Sequence, residues 1–112
     1  MKVKLYIFLS VTLLVSSCGE YAKLLKSTDL ELKRTKAMEY YLGKQYAKCN
    51  EILTQILPSF RATEHAEELT WISAQSLYGM RDYILAASQF KNFSDVYPYS
   101  THAEEANFLA AL

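Results

Sequence analysis

Apolar residues recur at spacings of three and four along most of this chain, the signature of helices that each bury one stripe. In "ATEHAEELTWISAQSLYGM", Ala66, Leu69, Ile72, Ser73 and Leu77 fall on one face. Thr63 is the expected N-cap, and Glu64, Glu67 and Glu68 place negative charge at the positive end of the helix dipole. Gly79 is expected to let the chain leave the helix. A second stripe follows in "DYILAASQFKNFSDVYP", with Tyr83, Ala86, Ala87, Phe90 and Phe93 inward and Pro98 as the stop. Upstream, Thr28 and Glu31 have capping-box spacing, Ala37, Met38, Tyr40 and Tyr41 supply a stripe, and Gly43 breaks it. A further helix is expected from Tyr46 to Leu57, ending before Pro58. Downstream, Thr101 and Glu104 open one more helix, which the sequence follows to Leu112. No alternation of strand type occurs over any length, so the fold class expected is all-α.

These helices repeat with a period of 37. Tyr46 falls on Tyr83, Cys49 on Ala86, Leu53 on Phe90, Ile56 on Phe93, and His65-Ala66-Glu67-Glu68 on His102-Ala103-Glu104-Glu105; Trp71 lands on Phe108 and Ala74 on Ala111. Each pair keeps its size class or its charge. Self-similarity of this length marks stacked units that cannot bury their apolar faces alone. The expected architecture is a helix-hairpin array, an α-solenoid of two full helix pairs and the first helix of a third, over residues 28–112.

The first 27 residues depart from this pattern. Lys2 and Lys4 precede the apolar run "LYIFLSVTLLV", and small residues follow, so residues 1–17 read as an export signal. Eleven residues are too few to span a bilayer, which takes about 20. "VSSC" at Val15 to Cys18 resembles a bacterial lipobox, which implies cleavage before Cys18 and attachment there of diacylglycerol and an N-acyl chain. Such chains anchor stably at about 0.8 kcal/mol per buried methylene. Residues 18–27 would then be a lipidated tether.

Charge and cysteine usage narrow the function. The chain carries 12 Lys and Arg against 12 Asp and Glu, and about −2 once Lys2 and Lys4 leave with the signal. No basic face for nucleic acid is expected. With Cys18 lipidated, Cys49 has no disulfide partner and reads as a small buried apolar residue. The two His-Ala-Glu-Glu copies lack a second His four residues on, as the helical zinc motif requires, and read as solvated first turns. Neither a phosphate loop nor a catalytic triad spacing is present, so a metal, a cofactor or an enzyme is not expected.

A binding face is the expectation that remains. In arrays of helix pairs the first helices line the concave side. The stripe not used for packing carries Arg34, Met38 and Tyr41 in the first unit, Glu68, Trp71, Gln75 and Tyr78 in the second, and Glu105 and Phe108 in the third. Aromatic residues with polar groups between them suit an extended or helical peptide.

Two resemblances sharpen this reading. "YILAASQFKNFSDVYP" at Tyr83 to Pro98 resembles the second helix of the tetratricopeptide repeat, with Phe93 in place of its last alanine; "YAKCNEILTQI" at Tyr46 to Ile56 matches more loosely. With the lipobox, the segments "CGEYAKLLKSTD", "ILPSFRATEHAEE" and "LAASQFKNFSDVYPYSTHAEEANF" make the chain similar to the N-terminal part of the BamD family, the tetratricopeptide lipoproteins of the outer-membrane β-barrel assembly machine. That resemblance implies a scaffold on the periplasmic face of the outer membrane. Its partners would be the POTRA domains of the barrel-forming subunit and unfolded outer-membrane proteins. Family members carry more repeats than the two and a beginning found here, so the POTRA site is expected to lie largely outside these residues. An array cut there is expected to be marginally stable or to self-associate. An alternative resemblance is to lipid-anchored glycan binders of the SusD type, in which Trp71 and Tyr78 would stack on sugar rings.

Overall fold

The computed structural model describes residues 19–112. The signal peptide, the lipobox and Cys18 lie outside the described residues. All regular structure among them is helical. Residues 19–26 form a short helix, followed by α1 (Leu30–Leu42), α2 (Tyr46–Phe60), α3 (Ala66–Gly79), α4 (Tyr83–Val96) and α5 (Ala103–Ala111). The architecture is a helix-hairpin array with two full pairs, α1–α2 and α3–α4, and the first helix of a third.

The chain divides into two compact units, one ending at Lys33 and one spanning Arg34–Leu112. In the first, Lys33 is buried, and its ammonium donates to the carbonyl of Leu25 at 3.1 Å. A cation is thereby set on the negative end of the helix at residues 19–26. The tether is therefore partly helical. Asp29, not Thr28, caps α1: its carboxylate accepts from the Leu32 N–H at 3.1 Å, and its own N–H donates to the Ser27 hydroxyl. A carboxylate at that position satisfies an orphan donor and meets the dipole at once.

In the second unit the period of 37 holds bond by bond. At the end of α1, Lys44 N–H donates to Tyr41 O and Gln45 N–H to Tyr40 O; at the end of α3, Arg81 N–H donates to Tyr78 O and Asp82 N–H to Leu77 O. These are Schellman motifs, in which one residue must turn left-handed. That residue is Lys44 (φ 59°) in the first and Arg81 (φ 64°) in the second. Glycine was expected to make these exits, but no glycine has positive φ. Gly43 precedes the left-handed position, and Gly79 is the last residue of α3.

Gly79 serves packing. A Cβ there would come within 2.5 Å of the Tyr46 ring, so only a hydrogen lets α2 approach so closely. Tyr46 in turn meets Tyr41 edge-on (centroids 6.0 Å, 65°), as Tyr83 meets Tyr78 (5.3 Å, 67°). The two tyrosines thus hold equivalent places in successive hairpins. Tyr83 is nevertheless 54% exposed where an inward side chain was expected, whereas Tyr46 is half-buried against Gly79.

The connections from second to first helices also match. Thr63 N–H donates to Phe60 O and Ala66 N–H to Thr63 O, as Ser100 N–H donates to Tyr97 O and Ala103 N–H to Ser100 O. The hydroxyls of Thr63 and Ser100 accept from the N–H of His65 and His102. Thr63 and Thr101 are therefore not the N-caps of α3 and α5; His65 and His102 stand there, without side-chain caps. Pro58 does not end α2, which runs on to Phe60. A proline in the last turn removes one hydrogen bond, and the burial of Ile56 and Phe60 on either side keeps the turn helical. In the repeat Pro58 matches Asp95, whereas Pro98 matches Arg61, so only Pro98 follows a helix end.

Adjacent helices pack in chain order from α2 to α5. Cys49, Ile52, Leu53 and Ile56 of α2 and Leu69 and Ile72 of α3 are buried. Ser76 donates a hydrogen bond to the Cys49 sulfur at 3.3 Å, so this buried hydroxyl is satisfied. A second cluster holds Trp71, Ala74 and Leu77 of α3, Ala86, Phe90 and Phe93 of α4, and Ala106 of α5. Fully burying Phe90 and Phe93 stabilises the fold by about 1.5–3 kcal/mol each.

Candidate protein-binding face

The stripe expected to line the concave side occupies fixed repeat positions. Arg34, Trp71 and Phe108 share one, Met38 and Gln75 another, Tyr41 and Tyr78 a third, and Glu68 and Glu105 a fourth. Arg34, Met38, Tyr41 and Gln75 are half-buried, while Glu68, Tyr78, Glu105 and Phe108 are exposed. The Tyr41 phenol is pushed above its ordinary value, chiefly by burial and then by the nearby Tyr46, Cys49 and Glu105.

Trp71 is a correction to that stripe. It is only 8% exposed, its ring lying 5.5 Å from Phe90, 5.3 Å from Phe93, and stacked at 4.3 Å and 10° on His102. The indole is a core group wedged between the second pair and the start of the third unit. Phe108, at the same repeat position, is 64% exposed. The face that can meet a partner therefore reduces to Tyr78, Glu68, Glu105 and Phe108, backed by half-buried Tyr41, Met38, Gln75 and Arg34.

The histidines also depart from expectation. His102 stacks on Trp71, and His65 sets its ring edge-on to Phe60 at 5.9 Å, so both pack on aromatic surface instead of standing free in water. Among the described residues no three His, Cys, Asp or Glu side chains gather closely enough to hold a metal ion.

An apolar cleft of about 240 Å³ was not anticipated. Tyr78, Tyr83, Ala86, Ala87, Leu109 and Leu112 line it, and it opens beside the face just described. Its aromatic and aliphatic walls can hold a polypeptide segment by apolar burial, while Glu68 lines a separate, polar depression with Trp71 and His102 near the start of α3. No helix among the described residues is long and apolar enough to cross a membrane. No family model, no curated protein and no solved structure matches this chain.

Proposed function

We propose that this chain is the N-terminal part of a lipid-anchored periplasmic scaffold in the machinery that assembles outer-membrane β-barrels, and that it binds protein partners or unfolded clients. The observation that carries the reading is the pair of hairpins repeated turn for turn at a spacing of 37, with exposed Tyr78 and Phe108 on the first-helix face. Such an array offers an extended surface without a reaction centre, and the proposed role is binding without catalysis. The lipobox at Val15 to Cys18 supports attachment to the membrane through acyl chains on Cys18. Binding of glycan by stacking on Trp71 loses its main support, since that ring is already sandwiched in the core.

The test is affinity purification of the full-length gene product from solubilised envelopes. Recovery of the barrel-forming subunit, and loss of lipid labelling on Cys18→Ser, are the expected results. Purification without that subunit, or with a soluble oligosaccharide-processing partner instead, overturns the reading.

A further inference from the structure

The turns that close the two hairpins form one edge of the Arg34–Leu112 unit. They adjoin, because the Tyr46 ring lies against Gly79, and Lys44 and Met80 flank the same shallow depression. In each turn the left-handed position, which glycine fills with least strain, holds a basic side chain: Lys44 in one, Arg81 in the next. Both are exposed. Large apolar side chains protrude beside them, with Leu42 76%, Ile84 87% and Met80 42% exposed. Asp82, the acidic residue of the second turn, is engaged at the N-terminus of α4, where it accepts from the Leu85 N–H.

The other ends of the helices carry the opposite charge. Glu64, Glu67 and Glu68 cluster at the start of α3, Glu104 and Glu105 at the start of α5 and Asp95 near the end of α4, against Arg34, Lys36, Arg61 and Lys91. That end is net acidic, whereas at the turns Lys44, Lys48 and Arg81 outnumber Glu39 and Asp82. At the turns, basic side chains stand beside protruding apolar ones around a shallow depression, although Val96 and Tyr99 are also exposed at the opposite end. That combination fits a lipid headgroup layer: cationic heads meet phosphates while apolar side chains dip toward the acyl boundary.

We propose that the edge formed by Leu42, Lys44, Met80, Arg81 and Ile84 rests on an anionic phospholipid surface, which orients the array on the membrane to which it is tethered. This rests on the anchored reading above and adds which edge of the folded unit faces the lipid. It leaves the first-helix face turned toward the periplasm and open to polypeptide.

The test places an environment-sensitive fluorophore on Ile84→Cys, Leu42→Cys or Glu104→Cys in the full chain. Each protein is mixed with phosphatidylethanolamine–phosphatidylglycerol vesicles containing doxyl-labelled lipid, and the unsubstituted chain gives the background from the native cysteines, Cys49 among them. Quenching at Ile84 and Leu42 with little at Glu104 is expected. The double variant Lys44→Glu with Arg81→Glu should lower membrane contact by about fivefold per basic residue removed, and raised salt should weaken it in the unsubstituted edge. Equal quenching at both ends, quenching at neither, or shielding of Ile84 only on addition of an acidic protein overturns the proposal. Vesicle flotation separates it from the anchored reading. A chain that floats while Ile84 stays in water keeps the anchor and loses the edge. Flotation unchanged by Cys18→Ser with Ile84 still quenched loses the lipid anchor and keeps the edge.

Discussion

Gly43 and Gly79 close corresponding first helices, yet their surroundings differ. A methyl group at Gly79 would strike the Tyr46 ring, whereas at Gly43 the nearest atom, Glu39 O, is 3.4 Å away, an ordinary contact. Gly79→Ala should therefore cost about 1–3 kcal/mol, as overpacking does, and Gly43→Ala should be near neutral. Urea unfolding of the two variants checks this, and equal midpoints would remove the packing role of Gly79. Cys49 provides a second prediction at this scale. Burial pushes its thiol above the ordinary value of about 9, and the Ser76 hydrogen bond opposes that only in part; burial likewise raises the Tyr41 phenol from about 10. Both groups are held neutral in the fold and ionise more readily in the unfolded chain. Their contribution is full below the unfolded values and is lost as pH rises through the higher folded ones. Thermal stability should hold from neutral pH to about 8.5 and fall above about 9, and Cys49→Ala should flatten the first part of that fall. Melts followed by circular dichroism across this range read the effect.

Among the helices, Trp71 in α3 and Phe108 in α5 occupy one repeat position with opposite fates. Trp71→Ala should cost about 3–5 kcal/mol, since it empties the space between Phe90, Phe93 and His102. Phe108→Ala should change stability by less than about 0.5 kcal/mol, because that ring is mostly in water. Chemical denaturation of the two variants measures both; a costly Phe108→Ala would mean that α5 is covered in solution. The same pair shows what the sequence could and could not convey. The period was legible because both copies carry the same residue classes 37 apart, and the buried stripe of α3 followed from its spacing. The fate of Trp71 was not legible, because the ring that covers it, His102, lies 31 residues downstream and arrives only through stacking. Helix ends were read less well for a local reason. Glycine, threonine and proline each suggest a stop, but Lys44 and Arg81 took the left-handed positions, Asp29 took the cap, and α2 ran through Pro58.

For the molecule as a whole, large apolar side chains stand exposed at Phe108, Leu112 and Tyr83, the last two lining the cleft of about 240 Å³. Such surface drives association when nothing covers it. Sedimentation velocity over a concentration series should reveal reversible self-association, weakened by Phe108→Ser; a monomer at every concentration would show that α5 needs no cover. The central claim, however, concerns polypeptide binding on the face of the first helices. Its most direct measurement is photo-crosslinking from a reactive amino acid placed at Tyr78, at Glu105, or at exposed Ser88 on α4, during synthesis of an outer-membrane barrel protein. Adducts to the unfolded client or to the assembly subunit from Tyr78 and Glu105, with none from Ser88, are predicted. Adducts from Ser88 alone, or no adduct from either first-helix position, would contradict it.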